Sequence, residues 1–372
     1  MTKLPKFTLG VEEEFQVVDP ETRQLQSHVP EIFEKGQAVL PEKIQRELHR
    51  SVIEIGSSIC ADIGEVRSEV TETRAALIRL AREHGQRIAA AGTHPITPWH
   101  DVETTVAERY TKLLADLQVV ARANVIFGLH VHVGIEDKED LIHVFNMARY
   151  FVPHIMALSS SSPFWCGRDT GWHSYRSKVF EKFPRTGIPG AFESFGEFEA
   201  LLGDLTKTNS IDTGKSIWWD LRPHWRYPTI EFRCCDVPMR ADETIALAAL
   251  CQALVAKLYL LHKQNLSFRL HKRALIMENK WRAARWGVRG KLIDLGKMRE
   301  VETPQLIEEI RLFVDDVVDE LGVRSELDTI RKIVSEGTGA ERQLKVWNDT
   351  GDLGSVVDYI VSETEHGLQL DA

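Results

Sequence analysis

The chain has 372 residues, with 46 Lys and Arg against 55 Asp and Glu and a formal net charge of −9. That length supports one large domain or two smaller ones around a sizeable core, and the acidic balance excludes a basic nucleic-acid footprint. Cys60, Cys166, Cys234, Cys235 and Cys251 fall in no zinc spacing and no C-x-x-C pair, so reduced and mostly buried thiols are expected.

The N-terminus "MTKLPKFTLGVEEEF" lacks a hydrophobic signal core, and no apolar run reads as a membrane span, so a cytoplasmic protein without a membrane partner is expected. Alternation in "FTLGVEEEFQVVD" predicts a strand over 7–19, closed by Asp19 and Pro20. Residues 41–50 read as a short helix and 51–60, "SVIEIGSSIC", as a second strand. Apolar residues at helical spacing predict a long helix from Ile63 to Ala91, stopped at Gly92, and a further helix follows over 103–122. "NVIFGLHVHVGI" reads as a third strand and 137–161 as helix. The Gly, Pro and aromatic-rich stretch from Pro163 to Pro189 reads as a long irregular segment, which is uncommon in a compact protein unless functional. Two β segments around a Pro-containing turn follow in "SIWWDLRPHWRYPTIEFRCCDVPM", then helices at 241–265, 268–285, 304–320 and 325–336 and a polar tail. This order predicts an α+β fold, with helices over one face of a mainly antiparallel sheet.

Residues i and i+2 of a strand share a face. Glu12 and Glu14 therefore lie on one face, roughly 7 Å apart; His130 pairs with His132, Glu231 with Arg233, and Glu54 stands between Ile53 and Ile55. A solvated strand face would mix Lys, Thr, Ser and Gln, whereas these carry Glu, His and Arg almost exclusively. Clustered carboxylates repel unless a cation lies between them. Mg²⁺, or Mn²⁺ with a histidine among oxygen ligands, suits such a set. Zinc is the rival for H-x-H, but no cysteine helps and carboxylates outnumber histidines. Arg109, Arg168, Arg176, Arg222 and Arg233 lie beside Gly, Pro or aromatic residues and are suited to bidentate grip on carboxylates or phosphates. With an acidic metal face they suggest phosphoryl transfer, without a Walker loop, dinucleotide fingerprint or G-x-S-x-G elbow.

"GVEEEF", "VIEIGSSIC", "GLHVHVG", "SSSPFWCGRDTGWHSYR", "WWDLRP" and "TIEFRCCD" occur in an order that resembles the carboxylate–amine ligase family of glutamate–cysteine ligase type 2, and "ENKWRAARWG" fits its C-terminal portion. The resemblance implies a single domain over 1–372, with a motif-supported core at 7–290 and a helical portion at 291–372. It implies a glutamine synthetase/guanidino kinase-like catalytic fold: a curved, mainly antiparallel sheet with helices on one face and a metal and nucleotide funnel on the other. The implied activity is an ATP-dependent ligation in which the γ-carboxylate of glutamate becomes an acyl phosphate and joins an amine such as cysteine. Glu12, Glu14, Glu54, His130 and Glu231 are the implied metal ligands, with Mg²⁺ or Mn²⁺ as the ion, and Arg233 and Glu54 are the expected catalytic groups. Glu47, Arg109, His132, Arg168, Arg176 and Arg222 are the expected substrate or nucleotide contacts. His132 could equally touch a ligand or buttress its strand, and the 163–190 segment is expected to wall or cover the acid pocket. Expected partners are small amino acids, amines and ATP, with a second copy of the chain as a homodimer. A non-catalytic metal- or nucleotide-binding descendant and a metal-dependent hydrolase are the competing readings.

Overall fold

The computed structural model describes residues 4–27 and 29–370, without the side chains at 29–31 and of Arg109. Its centre is a seven-stranded sheet. The strands are β1 (Leu9–Val18), β2 (Ile44–Arg46), β3 (Val52–Gly56), β4 (Arg87–Ala89), β5 (Gly128–Gly134), β6 (Leu221–Pro223) and β7 (Thr229–Asp236). Spatial order is β6-β7-β5-β1-β3-β2, every neighbouring pair is antiparallel, and β4 joins the C-terminal half of β1 beside β5. A register shift between Phe232 and Cys235 interrupts the β7–β5 ladder, which bends the strand locally.

The period-2 pattern sorts the two faces. Leu9, Val11, Phe15 and Val17 of β1 are buried beneath helices, as are Leu129, Val131 and Val133 of β5. Helices Ile63–Glu83 and Ala241–Lys263 pack on this face. Glu13 points the same way and is 3 % exposed. It is paired with the fully buried Arg74 of helix Ile63–Glu83, whose guanidinium also donates to the carbonyls of Pro238 and Met239. Thr244 donates to the same carboxylate at 2.6 Å.

Several local expectations are corrected. Residues 41–50 are not a helix: β2 pairs with β3 there, because the sheet edge offers partners for backbone groups that so short a helix would leave open. The long helix stops at Glu83, where Gly85 adopts φ 69°, and the chain re-enters the sheet as β4. A helix at Val29–Val39 and another at Phe195–Lys207 were not expected; Ser194 caps the second by accepting from the Glu197 N–H. The polar tail is two helices, Gly339–Thr350 and Leu353–Glu365, and the second buries Val356, Val357 and Ile360 against Val18, Ala89 and Ala91. One described helix is nevertheless long and apolar enough to cross a membrane. It is Ala241–Lys263, the helix expected at 241–265, and 78 % of its most apolar stretch is buried inside the protein.

Candidate active site

The sheet face opposite the helices collects the ionisable residues. Glu12 lies across from His130, Glu14 from Glu54, and His132 from Glu231 in register, and Glu231 also faces Arg222. Five strands thus bring to one surface the residues that sequence alone places only in pairs. A funnel of about 410 Å³ is lined by Glu12, Glu14, Glu47, Glu54, His130 and Arg233, while His132, Arg222 and Glu231 lie outside its lining.

Glu12 is the hub. The His130 Nδ1 lies 2.9 Å from one Glu12 oxygen and His132 Nε2 lies 3.3 Å from the other. Burial pushes the Glu12 carboxyl up, but the hydrogen bonds and charges of both histidines outweigh it and hold it well below the ordinary range. Burial, with the Arg233 charge, lowers His130 to about 4, so its imidazole is neutral. Burial also acts against a charged His132, but Glu231 and Glu12 prevail and raise it. Its Nδ1 reaches Thr229 Oγ1 at 3.3 Å. The ligand atoms of Glu12, His132 and Glu231 lie within 4.8 Å of one another. His132 therefore belongs to the acidic cluster itself.

On the other side of Glu12, burial and then the Glu47 charge raise Glu14 to about 7, against the opposing pull of Arg176 and Arg233. Burial raises Glu54 well above its ordinary value, and Glu47, Glu12 and Glu14 add to the effect. A hard cation between these groups would relieve that repulsion. The donor set, carboxylates with imidazole and no thiol, fits Mg²⁺ or Mn²⁺.

The arginines divide. Arg222 holds both Glu231 oxygens in a fork and donates to the Ile217 carbonyl. Arg233 shares the same carboxylate, leaving its Nε without a hydrogen-bond partner among the described residues. These two guanidiniums depress Glu231 far below the ordinary range despite complete burial. Arg176, on helix Tyr175–Phe180, is buried against Gly128 and lines a recess with Glu14, Glu47 and Arg233. Arg168 is not brought to the funnel: it is exposed on a two-strand hairpin, Phe164–Trp165 with Arg168–Asp169, whose tight turn turns it outward. The Arg109 side chain lies outside the described residues. The segment 163–189 is thus half scaffold and half wall. Its first half forms that hairpin, and its second half contributes Phe180, Phe183 and Arg185 to the funnel. Sequence reasoning missed Asn124, Arg185 and Trp218 as lining residues; the paired tryptophans at 218–219 were the available signal.

Gly128 has a specific reason. A Cβ there would stand 2.3 Å from an Arg176 terminal nitrogen, and the Gly128 N–H donates to Glu14. Gly128→Ala is expected to push the flexible end of Arg176 aside. Turnover should fall by about tenfold, equivalent to roughly 1.4 kcal/mol, with little loss of melting temperature. Steady-state rates and a thermal melt check this, and normal turnover would show that Arg176 need not sit here.

The antiparallel sheet presents one helix-covered face and one acidic, arginine-rich funnel, and comparison with known proteins assigns it to the ATP-dependent carboxylate–amine ligases of the glutamine synthetase fold class. The sequence profile described as "Glutamate-cysteine ligase family 2(GCS2)" matches residues 8–359, and the chain belongs to that family. A protein named "Putative glutamate--cysteine ligase 2" from Solibacter usitatus (strain Ellin6076) is 56 % identical over 365 residues, 98 % of this chain and 95 % of that one. Among solved structures, glutamate–cysteine ligase from Francisella tularensis in complex with AMP shares the fold, with a TM-score of 0.73 at 12 % identity over 99 % of this chain and 91 % of that one. A bifunctional glutathione synthetase from Pasteurella multocida does so with a TM-score of 0.69 at 13 % identity, over 97 % of this chain and 53 % of that one.

Proposed function

We propose that the protein activates the γ-carboxylate of glutamate, or of a closely similar acid, with ATP and joins it to a small amine such as cysteine. The observation that carries this reading is the convergence of Glu12, Glu14, Glu54, His130 and Arg233 on one funnel, with Arg176 in the recess that shares Glu14, His130 and Arg233 with it. The names of the relatives favour glutamate and cysteine.

The chemistry balances in two steps. A γ-carboxylate oxygen attacks the γ-phosphorus of ATP, the bond to the β,γ-bridging oxygen breaks, and ADP leaves. The amine nitrogen then attacks the acyl carbon, phosphate departs with the C–O electron pair, and the nitrogen gives up a proton. Glu12, Glu14 and Glu54, with His130 and Glu231, are the residues that would hold Mg²⁺ or Mn²⁺. Such an ion supplies charge neutralisation for phosphoryl oxygens. Arg233 lines the same space and offers a cation to the transferred group. Glu231 and Arg222 keep that guanidinium in place. Phe180, Phe183 and Trp218 narrow the funnel and help exclude water from the acyl phosphate.

The decisive assay is magnesium-dependent release of ADP and phosphate from ATP, over a panel of acids and amines. The ligase reading requires release that depends on both an acid and an amine. Release with water alone as acceptor would instead support a hydrolase, and no release with any pair a binding descendant. Arg233→Lys keeps the charge but loses the planar fork. Its turnover is expected to drop by at least about tenfold, roughly 1.4 kcal/mol of transition-state stabilisation, and an unchanged rate would reduce Arg233 to a partner of Glu231.

A further inference from the structure

Arg185 sits on the funnel wall in a setting the proposed chemistry does not use. Its backbone adopts φ 57°, the left-handed region that costs a non-glycine residue strain and concentrates at functional positions. Its carbonyl accepts from the Trp218 N–H at 3.0 Å. Its Nε donates to the Ser216 carbonyl at 2.9 Å, and its guanidinium carbon lies 5.3 Å from the Trp218 ring centroid. One nitrogen and one face of the guanidinium are thereby held. No carboxylate pairs with it among the described residues. Two other funnel cations differ: Lys112 is bound to Asp212 at 2.6 Å, and Arg233 to Glu231.

A structural arginine would be finished by its carbonyl and its ring. Here the two terminal nitrogens of a pre-oriented fork remain, beside Lys215, on the wall of a cavity whose base is acidic. We infer that Arg185 forms an anion-binding position on the funnel wall, taking two oxygens of a phosphoryl or carboxylate group of an entering ligand. A planar fork matches both kinds of oxyanion, and the contact with Trp218 reduces the entropy that an unheld arginine would lose on binding. The position does not require any particular ligation reaction; the choice of organic ligands to test rests on the proposed function.

Direct titration calorimetry separates the possibilities. Mg-ADP, adenosine, pyrophosphate and glutamate are titrated into wild-type protein and into Arg185→Ala, Arg185→Lys and Trp218→Leu, with thermal melts to verify folding. Arg185→Ala is expected to weaken at least one anionic probe by about tenfold or more, with adenosine unaffected. Arg185→Lys should recover only part of the loss, and Trp218→Leu should weaken the same probe while the charge remains. Loss confined to Mg-ADP and pyrophosphate assigns phosphoryl oxygens, and loss confined to glutamate assigns a carboxylate. Unchanged affinity of a folded Arg185→Ala for every probe the wild type binds overturns the position while leaving the ligase reading intact. Loss of pyrophosphate affinity in a protein that turns over no acid–amine pair would retain the position and sink the ligase reading. Wild-type protein that binds none of the anionic probes overturns both.

Discussion

Glu14→Gln is expected to lower turnover by about a thousandfold or more, roughly 4 kcal/mol of transition-state stabilisation, while leaving the fold standing. Glu14 faces Glu54 across the β1–β3 ladder and lies under the charge of Glu47. A neutral amide removes a candidate ligand from the oxygen set but also removes one of the mutually repelling carboxylates. The variant should therefore melt no lower than wild type without divalent ions. It should also lose most of the Mg²⁺-induced stabilisation expected of wild type, since an ion that binds only the folded state raises its stability by mass action. Melting curves with and without Mg²⁺, alongside ADP release at saturating substrates, make the comparison. Glu14→Gln that keeps both turnover and the Mg²⁺ shift would remove Glu14 from the site.

Glu13→Gln, one residue away, is expected to do the reverse. The alternation of β1 turns Glu13 from the funnel, so its amide should leave turnover per folded molecule nearly intact. The structure adds that it faces a buried guanidinium, not water: Arg74 is fully buried and bound to both Glu13 oxygens. Breaking a buried pair from one side leaves an uncompensated charge and costs about 3–5 kcal/mol, a large part of a domain's stability. Urea unfolding should show that loss, and Arg74→Met should show a similar one. A Glu13→Gln protein as stable as wild type would mean that the core accepts the lone guanidinium. Adjacent carboxylates on one strand thus answer to different assays.

Much of the site was legible because strand geometry is local. The i and i+2 positions in "GVEEEF", "GLHVHVG" and "TIEFRCCD" place side chains on common faces whatever the partner strands are, and all three stretches are strands of the one sheet. Helix ends and short edges were less legible. The apolar spacing of Ile63–Ala91 continues past Gly85, and only the positive φ there and the pairing of β4 with β1 divide it. The stretch 41–50 carries no strong period, so its edge pairing with β3 decided its conformation. The helix expected at 241–265 is present as Ala241–Lys263, and only the packing shows that protein covers it, because composition cannot say whether lipid or protein covers a helix.

The sequence by itself determined which residues could carry chemistry: the carboxylate, imidazole and guanidinium groups and their phase along each strand follow from covalent connectivity and the two-residue repeat. Tertiary structure decided how those groups act on one another. Arg168 and Arg176 read alike in a Gly- and aromatic-rich segment, yet a hairpin turn leaves one in solvent and a short helix presses the other onto Gly128. His132 gained its place when β5 set it between Glu12 and Glu231. Arg222 and Arg233 became one clamp when β6 registered against β7. Charge–charge energies vary with distance and burial, and both are properties of the packed sheet that no linear spacing contains.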